Sequence, residues 1–301
     1  MSQSIVYVNR VTGKQEVEKV YGDALIRFAY QNAVGAWLTE HLLSKKWLSD
    51  LYGRLQDGPR STAKIAGFVE QFGIQMDDFV DPGFKSFNEF FIRKFKEGKR
   101  PFESDPKRMA APAEARYLAW ESIQPDQLFP VKGKFLSANA LLGGHPLASE
   151  FENGPLMIAR LCPVDYHRFH FPDSGRLLED FRLVGKYHSV NPIALQAQGD
   201  IFCTNERHVS ILETENFGRL AYIEVGALCV GKIVQSYRGV AGDALAFERG
   251  DEKGYFLFGG STVILLGQAG RWTPDTDLLE ATSRGVETWL PLGQGIARGG
   301  G

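Results

Sequence analysis

The chain has 301 residues, 44% apolar and 23% charged, which allows one large domain or two modest ones with a core that needs no staples. A net charge of −2 supplies no global attraction for nucleic acid or an anionic membrane, so electrostatic recognition must be local. The three cysteines, Cys162, Cys203 and Cys229, form no CxxC pair, which argues against a structural zinc or a disulfide framework and suits a reducing cytoplasm.

The first ten residues lack the long apolar stretch of a signal peptide, and no run approaches the roughly 18 apolar residues of a spanning helix. The expectation is a chain that is soluble or sits on a membrane without crossing it. Residues 5–20 read as a short hairpin with Thr12-Gly13 at its turn. From Asp23, the expected N-cap, the spacing of Leu25, Phe28, Ala29, Ala33 and Trp37 becomes helical. A second helical pattern carries Leu42, Leu43, Trp47, Leu48, Leu51 and Tyr52 and ends near Asp57-Gly58-Pro59. A third runs from Ser61 with Ile65, Phe68, Val69 and Phe72 on one face. Ser86-Phe87-Asn88-Glu89 has capping-box spacing ahead of Phe90, Phe91 and Phe95.

Residues 1–100 are therefore expected to be mostly helical. Tyr30, Trp37, Trp47 and Tyr52, with six Lys/Arg against two Glu over residues 85–100, suit contact with a membrane surface. The competing reading makes the aromatics a helical core and the basic residues a solvated face.

After Arg100-Pro101 short β-prone runs alternate with Gly, Pro, Asn and Asp, at Tyr117–Trp120, Leu156–Ala159, Tyr222–Val225, Lys232–Val234, Tyr255–Phe258 and Thr262–Leu266. The fold class is thus α+β, an N-terminal helical region over 1–100 followed by a mainly antiparallel β-rich domain over 101–301. Within that domain Phe256-Leu257-Phe258-Gly259-Gly260-Ser261-Thr262 reads as a buried hairpin with two glycines before a hydroxyl. Glycine permits unusual backbone and close approach to a carbonyl, and a serine directly after that carbonyl can attack it. Gly260-Ser261 is therefore a candidate for self-cleavage.

Asp165-Tyr166-His167-Arg168-Phe169-His170 holds two of the six histidines, three residues apart. On a turn or helix both face one cavity, and on a strand they face opposite sides. Imidazole suits proton transfer near neutral pH, whereas a zinc site lacks a third ligand of clear spacing. Tyr187–Pro192, Asn205-Glu206-Arg207 and the two-glycine run Val225–Gly231 are candidates for backbone control or simple packing.

These segments together resemble the phosphatidylserine decarboxylases, which depend on a pyruvoyl group. The resemblance covers nearly the whole chain: Phe87-Asn88-Glu89-Phe90-Phe91 with Arg93-Lys94, then Asp165–His170, Ser189–Leu195, Val225-Gly226-Ala227, and Lys253–Phe256 leading into Gly259-Gly260-Ser261-Thr262. It is similar to the bacterial branch whose cleavage motif reads GGST. The resemblance implies that His170 is the base for Ser261, whose oxygen attacks the Gly260 carbonyl. Elimination and hydrolysis then leave a β subunit ending at Gly260 and an α subunit starting with a pyruvoyl group in place of Ser261. It further implies a Schiff base between that group and phosphatidylserine, release of CO₂, and phosphatidylethanolamine as product. His167 is implied as the second active-site histidine, acting in decarboxylation. A homodimer and a peripheral position on the cytoplasmic face of the cell membrane also follow from the resemblance, with no metal and no nucleic-acid partner.

One departure stands out. The family orients its base with an aspartate in a Pro-x-Asp-Gly context, and here Pro112-Ala113-Glu114-Ala115 puts Glu114 at that place. A carboxylate displaced by about 1 Å can slow a reaction by about 100-fold. Three alternatives accompany the leading reading: a pyruvoyl decarboxylase of a soluble amino acid, a non-processing lipid-binding relative in which Glu114 marks lost catalysis, and a zinc hydrolase using His167 and His170.

Overall fold

A computed structural model describes residues 4–123, 136–228, 232–237 and 245–300. Cys229, Val230 and Gly231 of the two-glycine run lie outside them. The fold is α+β, with helices concentrated in the first hundred residues and strands mostly antiparallel after them. Its core is a ten-stranded sheet in the order Ala246–Phe247, Gly175–Leu183, Arg207–Thr214, Arg219–Val225, Ser261–Gly267, Leu156–Leu161, Ala115–Trp120, Glu287–Leu290, Val6–Asn9 and Lys14–Val17. Two three-stranded sheets flank it. One pairs Arg168–His170 and Ile233–Gln235 with Glu252–Phe256, and the other pairs Arg108–Ala110 and Trp272–Pro274 with Gly295–Gly299.

The N-terminal hairpin forms as its spacing predicts, turning at Gly13 with φ 69°. It also joins the large sheet, with Val6–Asn9 lying parallel to Glu287–Leu290. Asp23 does not cap its helix. Gly22, in the left-handed conformation, precedes Asp23–Gln31, and the Asp23 carboxylate pairs instead with Arg27 at 2.8 Å, one turn along. Lys46–Asp57 stops at Gly58-Pro59, and Ile65–Phe72 stops at Gly73, whose φ of 67° suits a glycine. Ser86 caps Phe87–Phe91 by accepting the Glu89 N–H, and the Glu89 carboxylate reaches back to the N–H of Lys85.

The expected hairpin around Gly259-Gly260 is not one. Glu252–Phe256 and Ser261–Gly267 belong to different sheets, and the four residues between them carry the chain across. Ser261–Gly267 is central and buried along its whole length, with Leu156–Leu161 on one side and Arg219–Val225 on the other. Both of its hydrogen-bonding edges are thus occupied, leaving none for the strand that precedes it. Gly259, at φ 141°, makes the crossing, a conformation that a side chain would strain.

The amphipathic reading of the N-terminal aromatics needs dividing. Trp37 and Trp47 are exposed and Tyr52 is half-buried, but Tyr30 is buried with its hydroxyl accepting the Ser189 N–H at 2.7 Å. The basic segment is similarly mixed. Arg93 is buried between the rings of Phe79 and Phe90, while Lys99 and Arg100 pair with Asp78.

Candidate active site

Leu156–Leu161 ends in a tight turn that builds the site. The Asp165 N–H donates to the Cys162 carbonyl at 2.9 Å, and the Asp165 carboxylate accepts the Cys162 N–H at 2.6 Å and Arg116 Nη1 at 2.7 Å. Behind the turn, Arg160 is held by Glu287 and Glu18, and Arg116 also approaches Glu18. Buried charges in this number persist only when each has partners, and here every carboxylate faces a guanidinium.

The turn sends the chain back so that His167 meets its own entry point. His167 Nε2 lies 2.8 Å from the Cys162 carbonyl, and Nδ1 lies 3.2 Å from Ser261 Oγ. A carbonyl can only accept, so Nε2 carries the proton and Nδ1 presents a lone pair to the serine hydroxyl. Phe91 stacks on the imidazole with ring centroids 3.9 Å apart. Burial pushes the His167 pKa down to about 3, reinforced by the nearby Arg93 charge and opposed by the Cys162 carbonyl.

Ser261, the first residue of its strand, is fully buried. A cavity of about 180 Å³ opens beside Gly259 and Gly260, walled mainly by apolar atoms of Tyr21, Leu25, Ile26, Tyr52, Val190 and Phe258. The polar segments singled out in the sequence shape this wall. Asn205 accepts the His188 N–H and donates to the carbonyls of His188 and Gly226. Asn191 accepts the N–H of Ile193, fixing the turn around Val190. A side chain at Gly226 would have 3.5 Å to the Glu206 carbonyl oxygen and one at Gly260 would have 3.5 Å to Val190, both ordinary contact distances. Close approach therefore explains neither glycine.

His170 does not reach this centre. An odd spacing on extended backbone turns it away from His167, and its Nδ1 lies 2.9 Å from the Gly250 carbonyl. That contact puts the proton on Nδ1 and leaves Nε2 buried without a hydrogen-bond partner among the described residues. Burial lowers its pKa, with the Gly250 carbonyl opposing.

Glu114 is committed elsewhere too. Arg100 Nε donates to it at 2.6 Å, and burial raises its pKa against the pull of that arginine. Among the described residues it makes no hydrogen bond to either histidine. The expected Glu114–His170–Ser261 relay is thus absent from this arrangement, and the acceptor opposite Ser261 on the imidazole is a main-chain carbonyl. His167 and His170 do not converge on one point, as the zinc reading requires.

Two contributors carry no role in the sequence reading. Phe91 holds the His167 ring, and Asn88, from the same short helix, accepts the Phe258 N–H at 2.9 Å. The signals available were its place in the Phe87–Phe91 segment that carries the resemblance and an asparagine set among phenylalanines.

A serine hydroxyl paired with a neutral histidine in a closed, oriented site defines a catalytic class of centre, set apart from a binding groove. The phosphatidylserine decarboxylase family model matches residues 87–285. Proteins named phosphatidylserine decarboxylase proenzyme are similar over almost the whole chain. That of Clostridium botulinum strain Hall is 40% identical, covering 97% of this chain and 98% of its own length. That of Fusobacterium nucleatum is 38% identical, covering 97% of each, and that of Ruminiclostridium cellulolyticum 40%, covering 96% of this chain and 95% of its own length. This chain belongs to the phosphatidylserine decarboxylase family.

Proposed function

We propose that the chain is a proenzyme that cuts itself between Gly260 and Ser261 and then decarboxylates phosphatidylserine to phosphatidylethanolamine at a membrane surface. The observation that carries the reading is the 3.2 Å contact between His167 Nδ1 and a buried Ser261 hydroxyl directly after Gly260. His167 takes the hydroxyl proton while Oγ attacks the Gly260 carbonyl carbon. The peptide C–N bond breaks, the proton goes to the departing Ser261 nitrogen, and the two segments are joined by an ester. Loss of the Ser261 α-proton expels the Gly260 carboxylate and leaves dehydroalanine, whose hydrolysis releases ammonia and leaves the pyruvoyl group. The residues present fit that group: Ser261 heads a central strand, enclosed, with an apolar cavity beside the preceding glycine.

Once formed, the pyruvoyl group supplies an electrophilic ketone for the substrate amine and conjugated carbonyls that accept the electrons freed as CO₂ leaves. The protein's own part is then to exclude water and manage one proton. His167, still beside residue 261, keeps Nε2–H on the Cys162 carbonyl and faces the site with Nδ1, so a proton taken up there from water is the one it would pass to the product carbon. A second reading keeps His170 as the base for cleavage, as the resemblance implies. It is favoured by the buried, deprotonated Nε2 of that half-buried ring, which has no hydrogen-bond partner among the described residues.

The membrane part rests on Leu25, Phe28, Trp47, Leu51 and Leu55, which are exposed on the two helices whose Leu25, Ile26 and Tyr52 wall the cavity, and on Trp37, exposed on the short helix Ala33–Leu38 between them. An apolar rim at the mouth of an apolar cavity suits a lipid that stays in its bilayer. Among the described residues no helix is long and apolar enough to cross a membrane. The attachment proposed is peripheral, and its place on the cytoplasmic face comes from the family resemblance alone.

Intact mass measurement of the purified protein tests the first step, and the expected result is a fragment of residues 261–301 blocked by pyruvoyl. CO₂ release from phosphatidylserine vesicles tests the second. Ser261→Ala should abolish both, and lipid turnover by that variant overturns the proposal. Turnover of free aromatic amino acids in place of the lipid moves the substrate assignment to the soluble class.

A further inference from the structure

Just before the proposed scissile bond, Phe258 is fixed by a residue with no assigned task. Asn88 is buried, its Oδ1 accepts the Phe258 N–H at 2.9 Å, and its Nδ2 donates to Asp57 Oδ1 at 2.7 Å and to the Gly53 carbonyl at 3.3 Å. The partners settle the amide orientation, because the flipped form would set donor against donor and acceptor against acceptor. Asp57 closes the helix Lys46–Asp57, where a carboxylate meets the negative end of the helix dipole. Its hydrogen bond from Asn88 gives that misplaced charge a partner. Around the same loop, Phe258 packs edge-on against Phe87 and Phe91, with centroids 5.1 and 5.0 Å apart.

We infer that Asn88 is a positioning residue for self-cleavage, oriented by Asp57, and that it sets where the Gly260 carbonyl stands relative to Ser261 Oγ. The inference rests on the self-cleavage reading above. One short helix, Phe87–Phe91, thereby locates both reacting sides: Phe91 stacks on the base, and Asn88 anchors the segment that carries the electrophile. Phe258 is two residues from Gly260, and Gly259 and Gly260 between them have no side chains to fix their path. Among the described residues, the N–H of Phe258 is therefore the last point at which a side chain hydrogen-bonds the loop before the bond.

The test follows cleavage of freshly synthesised full-length chain over time on denaturing gels. Asn88→Asp keeps the acceptor for Phe258 but turns a second oxygen toward the Asp57 carboxylate. The expected slowing approaches the ~100-fold that a misplacement of about 1 Å brings. Adding Asp57→Asn should return the rate to within a few-fold of wild type, because the amide now at position 57 donates to the carboxylate at position 88. A merely structural asparagine would show no such rescue. Asp57→Ala, at an exposed helix end, keeps the question open to test should Asn88→Asp fail to fold, and it is expected to slow cleavage several-fold. An Asn88→Asp rate equal to wild type, a slow rate without rescue, or an unchanged Asp57→Ala overturns this inference while wild-type cleavage stands. A wild-type chain that never cleaves overturns the processing reading itself.

Discussion

The proton bookkeeping of His167 is fixed by one main-chain atom. Because the Cys162 carbonyl claims Nε2–H, the lone pair faces Ser261, and because the ring is buried it stays neutral far below the usual histidine range. The base is therefore in its active form throughout the neutral range. Cleavage measured from pH 5.5 to 8.5 should change by less than about twofold, whereas an ordinary histidine base would lose half its activity near its usual pKa of about 6.5. A fall centred there would show that the acting base is not this buried ring. His167→Ala is expected to leave the chain intact, and His170→Ala to leave cleavage within an order of magnitude of wild type. Loss of cleavage in the His170 variant alone would transfer the role to its free Nε2. The same depressed pKa has a consequence for stability. The unfolded chain binds a proton on His167 near pH 6.5 that the native chain refuses until about pH 3, so its contribution is full above 6.5 and declines as the pH falls.

At the scale of elements, the helices between Asp23 and Asp57 show two faces. Their inner positions, Ala29 and Tyr30 among them, pack against the sheet domain, while Trp37, Trp47, Leu51 and Leu55 remain outside. Trp47→Glu combined with Leu51→Glu should reduce sedimentation with anionic phosphatidylserine vesicles at least about tenfold, since each charge loses apolar burial and adds repulsion. Cleavage should be unchanged, because neither side chain touches the Ser261 site; equal vesicle binding by the variant would remove these helices from the membrane proposal.

The helices were legible in the sequence because their apolar residues recur at the helical period and Gly-Pro or Gly ends them. The strands with unbroken apolar runs were legible for the same local reason. Pairing was not: residues 5–20 announce a hairpin, yet nothing local says that Val6–Asn9 will lie parallel to Glu287–Leu290. The segment around Gly259 looks like a hairpin to local pattern and is a crossing, since a strand's neighbours depend on residues a hundred positions away. Ser261 and the histidine pair were likewise visible as residue types. Which histidine faces the serine was not, because the choice is made by a turn whose acceptor is a backbone carbonyl, and a carbonyl has no signature in sequence.

In the molecule as a whole, the proposed cut falls at a position that releases no structure. Residues from 261 onward supply a central strand of the large sheet, a second strand between Ala115–Trp120 and Val6–Asn9, two strands of a smaller sheet and the helix Thr276–Ser283. Ser261–Gly267 alone is registered against Leu156–Leu161 over six residue pairs and against Arg219–Val225 over another six. Leu278, Leu290 and Ile296 from the same piece are fully buried in the common core. Each large apolar side chain buried in this way contributes roughly 1.5–3 kcal/mol, so the pieces are joined by a core and not only by the bond being cut. The two fragments should therefore co-elute in gel filtration without denaturant and separate only across the global unfolding transition in urea. Dissociation of the small fragment well before that transition would show that the sheet does not carry the association. The same geometry suits the proposed cleavage: Ser261 pairs with Leu161 and the next residue, Thr262, with Val225, so the strand would hold residue 261 beside His167 after the chain ahead of it is freed.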